Sequence, residues 1–360
     1  MNRLISPLTS LFVLVALSGF AVACGDDDDS GSDSGSGADS GSGKVVLNTW
    51  GGAYQEAQEK AIVAPFEEET GIKVTVTNPI DYAKLKAMVD SNQVVWDVAD
   101  VEPYISRRGC KEGWLAKLDY DVIDRSRFLE SMPTTPCSVP NGAFGLGVAY
   151  NTDDFGDSPP EGWADFFDTQ AFPGKRAIPK YAESGILEAA LLADGVAKED
   201  LYPIDHERAF AKLDTIKDEL VFWESGDQSE QLMQTGEVRL CACWATRMYD
   251  AKTNLDAPVA VQFNEMVYGW DDFVVPKGAE NLAEAMRFIE FGTATEQEIG
   301  MTKYTPWGPS DTEAADNPAP ETADWVPTSP KHRQIGVPID YEWWAENYPK
   351  LDELFAQWLL

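Results

Sequence analysis

The stretch that most constrains the fold lies at residues 44–77, KVVLNTWGGAYQEAQEKAIVAPFEEETGIKVTVT. Residues 44–49 form a short apolar run with β-branched side chains, the pattern of a buried strand. Trp50-Gly51-Gly52 is a turn, and its two glycines let the backbone pass close to a neighbour. Residues 53–69 are helical, with Ala57, Ala61 and Ala64 on one stripe and charge opposite, although Pro65 is placed to break or restart the helix. Gly71 stands where a helix ends in a left-handed residue, and 72–77 read as a second strand. Strand, helix and strand make one βαβ unit. Such units present ligands at the carboxyl ends of their strands, beside helix N-termini. Trp50 therefore sits at a ligand edge.

The rest of the chain continues that alternation. Asp81 can cap a helix over 82–90. Residues 93–101, QVVWDVADV, read as a buried parallel strand, and Pro103 starts a helix that runs to Gly113. Residues 118–140 read as irregular. Residues 143–150, AFGLGVAY, have the glycine-rich apolar character of a strand crossing between lobes. Cys241 and Cys243 flank Ala242 in a strand at 238–244, face one side, and read as small buried apolar residues. A strand is expected at 272–275, loops at 305–330, and a final amphipathic helix over 341–360 with Trp343, Trp344, Tyr348 and Leu351 on its apolar face. With 360 residues this predicts an α/β protein of two lobes, 44–149 plus 272–322 and 150–271 plus 323–360.

Sixty-one acids against 28 bases give a net charge of −33, which excludes nucleic acid as a partner and adhesion to anionic lipid by charge. At the N-terminus, Arg3, an apolar core over 8–22 and Ala21-Val22-Ala23-Cys24 make a targeting segment of 1–24. Its end resembles a bacterial lipobox, which implies a lipidated Cys24. Residues 25–43 are Gly, Ser and Asp with one Ala, a flexible self-repelling tether. The domain is thus expected in the periplasm or at the outer face of the cytoplasmic membrane, with membrane contact through the lipid alone. In such an oxidising compartment Cys110 and Cys137 can pair, stabilising by roughly 3–4 kcal/mol on the chain-entropy model. With two histidines and no CxxC, no metal site is expected.

No GxSxG, P-loop, GxGxxG after a strand, or HExxH occurs, so no catalytic residues and no cofactor are expected. The positive signal is a recurrence of aromatic rings and carboxylates near strand ends. The candidates are Trp50, Tyr54, Asp100, Glu102, Tyr104, Glu183, Trp244, Trp270, Asp271, Asp272 and Trp307. A cationic amine is held by that pair of chemistries, the faces of rings and charge-assisted bonds to carboxylates.

The segment WGGAYQEAQEKAIVAPFEEETGIKV resembles the opening of the extracellular solute-binding proteins (family 1) that serve ABC importers, most of all the spermidine/putrescine type. Trp50 and Tyr54 match that group's early Trp and Tyr. WDVADVEPY matches its second ligand strand, with Glu102 at a Ser position and Tyr104 at a Tyr. Gly236-Glu237-Val238 through Trp244 matches a third element. YGWDDFVVP matches an aromatic-x-Asp element, placing Asp271 at the acid, and Trp307 matches a later Tyr. The resemblance implies a type II-like periplasmic-binding-protein fold with the ligand cleft between hinged lobes. It also implies a monomer that captures a small amine such as putrescine or spermidine and hands it to the permease subunits. Two cations depart from the group. Lys180 stands beside Glu183 in the loop KYAES, and Arg247 follows Trp244. Either they pair with local acids, or they receive a ligand carboxylate. The second case favours a zwitterion such as γ-aminobutyrate, another amino acid or an opine-like compound. An enzyme and a surface adhesin are the remaining rivals.

Overall fold

The computed structural model describes residues 43–360; the targeting segment, Cys24 and nearly all of the tether lie outside the described residues. The opening unit folds as its sequence dictates. Strand β1 (Lys44–Asn48) pairs in parallel with β2 (Lys73–Thr77) in register from Lys44 opposite Lys73 to Asn48 opposite Thr77. The helix between them runs unbroken through 52–70, and Pro65 is tolerated. One wide turn at Glu59–Val63 precedes Pro65, so its missing N–H and its ring are absorbed there. Gly71 ends the helix at φ 72°.

Strand β3 (Val98–Val101) joins the other edge of β1. It is shorter than the apolar run at 93–101 suggests. The Asp97 carboxylate is committed elsewhere, accepting from the Val46 N–H at 2.8 Å and from the side chain of Asn281 at 3.0 Å. Strand β4 (Ser138–Asn151) is longer than expected, and its partner is a long strand of the second half. There, β5 (Arg176–Pro179), β6 (Leu220–Trp223) and β7 (Leu240–Trp244) are followed by β8 (Val259–Val274) and the two-residue β9 (Val337–Pro338). The sequence revealed only the end of β8, because VAVQFNEMVYGWDDFV alternates weakly where one face is half exposed.

These nine strands form one sheet, ordered β2-β1-β3-β8-β4-β7-β5-β6, with β9 on β8. β4 and β8 run antiparallel from Ser138 opposite Val274 to Asn151 opposite Val259. They join a parallel half, β1, β2 and β3, to a second parallel half, β5, β6 and β7. This is a two-lobed α/β architecture. Val45, Leu47, Phe66, Phe288 and Ile289 pack one core, and Leu187, Ala190, Leu213, Trp223 and Met248 belong to the other. The final helix, Tyr341–Trp358, lies against helix Pro103–Glu112. Cys110 and Cys137 are joined. Cys241 and Cys243 are buried on one face, as their alternation suggests, and are also joined, a pairing the sequence reading did not foresee. No helix among the described residues is long and apolar enough to cross a membrane.

Candidate functional site

The carboxyl ends of β1, β3, β5, β6 and β7 converge on a cavity of about 530 Å³. The turn after β1 supplies Trp50, and the helix behind it supplies Tyr54. Gly51, at φ 86° and ψ −172°, adopts a backbone open essentially to glycine, and Gly52 follows at φ 61°. The turn approaches two neighbours: a methyl group on Gly51 would lie 3.3 Å from Asn78 Cγ, and one on Gly52 3.6 Å from Arg247 Nη2.

Of the twelve ligand-binding candidates from the sequence, the cavity wall contains Trp50, Tyr54, Glu102, Tyr104, Glu183, Trp244, Arg247, Asp271 and Trp307. Three are set behind the wall. Asp100 is fully buried and saturated: Oδ2 accepts from the Tyr54 hydroxyl at 2.8 Å, Gln58 Nε2 at 3.0 Å and the Thr49 hydroxyl at 3.2 Å, while Oδ1 accepts from Asn141 Nδ2 at 2.9 Å. It fixes Tyr54. Burial lifts its carboxyl to about 6 against the pull of those donors. Trp270 and Asp272 are excluded by the pleat of β8, which sends alternate side chains to opposite faces. Trp270 packs edge-on against Tyr341 at 4.8 Å, and Asp272 accepts from Ser106 and Ser138 beside Arg107. Asp271, between them, faces the cavity. Of the two cations, Lys180 is spent on Glu224 at 2.6 Å, outside the wall. Arg247 lines the wall and donates through Nη1 to Asp227 at 3.0 Å and Glu230 at 3.4 Å.

Aromatic rings make most of the remaining surface. Trp50, Tyr82 and Tyr104 stand edge to face at 6.2 Å each, and Tyr104 stacks on Tyr348 at 4.5 Å. Opposite them Tyr54 meets Trp307 at 4.5 Å, and Phe144 bridges Trp307 and Trp244. Gly142, at φ 140°, clears the space in which the Trp307 indole lies. Tyr82, Phe144, Tyr181 and Tyr348 were missed as site residues. Tyr181 lies inside the loop already singled out for Glu183, which was its only sequence signal. Tyr348 shares the apolar face of the last helix and reads as core.

The wall is electrostatically unbalanced. No Lys or Arg among the described residues lies within ion-pair distance of Asp100, Glu102, Glu183 or Asp271. Asp271 Oδ1, Glu183 Oε2, Tyr181 Oη and Trp244 Nε1 are buried without a protein partner. Burial, then the charges of Asp100, Glu102 and Asp272, hold the Asp271 carboxyl well above the usual range. Burial and the Glu183 charge push Glu102 up to about 8. Burial, with Asp352 and Glu188 adding, pushes Glu183 up to about 7. Perturbation of this kind in a cleft marks a functional site.

The glutamates also set a pH dependence. The folded chain holds more protons on Glu102 and Glu183 than the unfolded chain, whose carboxyls titrate near the ordinary 4.5. Stability contributed by these groups is therefore present at low pH and lost as pH rises through about 5 to 8. Thermal melts of the ligand-stripped Glu102→Gln/Glu183→Gln protein should show a smaller fall in midpoint over that range than wild type, by at least ~3 °C. Equal slopes would show that the pair carries no such penalty.

The chain is similar to known proteins in sequence and in fold. The profile of the bacterial extracellular solute-binding proteins matches residues 61–331. A γ-aminobutyric acid-binding protein of Pseudomonas aeruginosa is 33% identical over 321 residues, which are 86% of this chain and 89% of that protein. A solved GABA receptor is 37% identical with a TM-score of 0.82, covering 88% of this chain and 98% of its own. A binding protein from A. tumefaciens R10 in complex with agropinic acid is 32% identical, with a TM-score of 0.77 and coverage of 88% and 98%. The spermidine/putrescine-type protein of Streptococcus pneumoniae is 19% identical, with a TM-score of 0.69 over 88% of this chain and 99% of its own. That likeness reaches the fold alone, so the resemblance to the polyamine group is narrower than the opening segment implies.

Proposed function

We propose that this chain, which belongs to the bacterial extracellular solute-binding proteins of ABC transporters, captures a small zwitterion of the γ-aminobutyrate or opine kind and delivers it to a membrane permease. One cavity holds both carboxylates that lack a cation and a guanidinium nitrogen that makes no bond to the protein, and this combination carries the assignment. Asp271 takes the ligand ammonium, with Trp50, Tyr54 and Trp307 around it. Arg247 Nη2, turned toward Gly52, takes the carboxylate. A polyamine would use the acids and leave Arg247 opposed to its charge. The γ-aminobutyrate binding of similar proteins supports the zwitterion over the polyamine. The lipobox-like end at Cys24 and the tether after it support a domain anchored outside the cytoplasm.

Calorimetric titration tests this on protein unfolded and refolded to strip carried ligand. γ-Aminobutyrate should bind at micromolar affinity or tighter, roughly −8 kcal/mol, and should outcompete putrescine. Arg247→Met should weaken γ-aminobutyrate by about 10–100-fold, the worth of a charge-assisted bond. Preference for putrescine in the wild type, or undiminished γ-aminobutyrate binding in Arg247→Met, would overturn the assignment.

A further inference from the structure

The zwitterion reading uses one acid, and the cavity has more. Glu102 follows β3 at the start of helix Pro103–Glu112, in the first half of the fold. Glu183 lies in the turn Ala182–Ser184 after β5, in the second half. Both line the same cavity, with Tyr104 beside them on its wall. Glu183 is 7% exposed, with Oε2 lacking any partner. Glu102 accepts only a long bond from the Tyr82 hydroxyl, at 3.4 Å. The faces of Tyr82, Tyr104, Tyr181 and Tyr348 surround the pair. A buried and a half-buried carboxylate from separate halves, on one cavity wall with four phenols and without a cation, form a receptor for a second positive nitrogen.

A ligand with its carboxylate on Arg247 and one ammonium on Asp271 leaves the glutamate pair, on the wall of the same cavity, free for a second nitrogen.

Resting on that zwitterion reading, we propose that Glu102 and Glu183 form a second ammonium subsite, and that the preferred cargo is an α,ω-diamino carboxylic acid rather than a simple ω-amino acid. The subsite selects by charge. An ω-amino acid leaves both carboxylates in the cavity without a cation. A diamino acid supplies the missing cation and lets both ionise. Each charge-assisted bond thus gained is the larger for being made in a buried site.

Matched probes test the subsite. 2,4-Diaminobutyrate differs from γ-aminobutyrate only by an amine beside the carboxylate, and ornithine differs likewise from 5-aminopentanoate. In calorimetric titrations of the stripped protein, the diamino member should bind at least ~10-fold tighter than its partner in one or both pairs. In Glu183→Gln that ratio should fall toward one. The inference is overturned if the ω-amino acids bind as tightly as their diamino partners in wild type, a result that needs no variant to fold. It is equally overturned if the ratio survives in both Glu183→Gln and Glu102→Gln. Binding of putrescine with all four amino acids silent would instead sink the zwitterion reading itself.

Discussion

Replacing Asp271 by alanine is expected to lower affinity for γ-aminobutyrate, or for whichever amine-bearing acid the protein carries, by at least ~100-fold. The side chain is 3% exposed, lies at the middle of the sheet on β8, and aims an unpartnered Oδ1 into the cavity. Neither neighbouring aspartate replaces it. Asp100 is spent on four donors, and Asp272 is turned to the opposite face. An ammonium left in this aromatic box without Asp271 keeps its ring contacts, each worth about 0.5–2 kcal/mol, and loses its strongest bond. The sign of the stability change separates a binding role from a structural one. Burial and three neighbouring acids hold the Asp271 carboxyl well above its usual range, so its charge is a burden to the ligand-free fold. Asp271→Asn should therefore abolish binding while raising the thermal midpoint of the stripped protein near neutral pH. Loss of binding together with a lower midpoint for both variants would make Asp271 a structural residue.

The sequence revealed more of the fold than of the site, for physical reasons that particular residues make plain. The unit at 44–77 is local: each signal, from the apolar run to Gly71, acts within its own turn or strand. Asp81 capping Lys84 at 2.9 Å is local in the same way. Where the reading fell short, a distant partner had intervened. Residues 93–97 leave the sheet because Asp97 is needed by Val46 and Asn281. β8 is long because β4 pairs with both of its ends, 259–262 and 267–274, around one irregularity. In the site, residues at strand ends were found because an α/β topology brings such ends together. Trp270, Asp271 and Asp272 could not be sorted by type, since the family-like motif has no finer grain than the triplet. The pleat sorts them at once. Tyr82 and Tyr348 come from helix surfaces, where an aromatic facing a cavity and one facing a core have the same periodicity.

Arg107→Ala is expected to destabilise the protein by about 3–5 kcal/mol, the cost of breaking a buried ion pair from one side. The Arg107 side chain is 6% exposed on helix Pro103–Glu112. Its Nη1 lies 3.6 Å from Asp272 Oδ2 and donates to the Pro103 carbonyl at 3.3 Å. Its Nε donates to Glu342 Oε1 at 2.5 Å, and the guanidinium stands 5.8 Å from the centre of the Trp270 ring. Truncation leaves Asp272 fully buried with two serine hydroxyls and no cation. Burial already lifts this carboxyl, and Arg107 is the first group that restrains it. Without Arg107 it should take up a proton on folding, so the deficit in urea melts should be larger near pH 8 than near pH 5. Adding Asp272→Asn should recover most of the loss at the higher pH, since the buried charge is then gone. The exposed pair Lys111–Glu346, at 3.6 Å between the same two helices, cannot compensate, because pairs in water contribute about 0–1 kcal/mol. A deficit independent of pH, and unrelieved by Asp272→Asn, would mean that Arg107 acts by packing alone. The same side chain ties the final helix, which carries Tyr348 into the cavity, to the helix that carries Tyr104. Arg107→Ala should therefore also weaken binding of the diamino acids more than that of their ω-amino partners, because Glu102 stands at the start of the helix that Arg107 anchors, whereas Asp271 is held in β8.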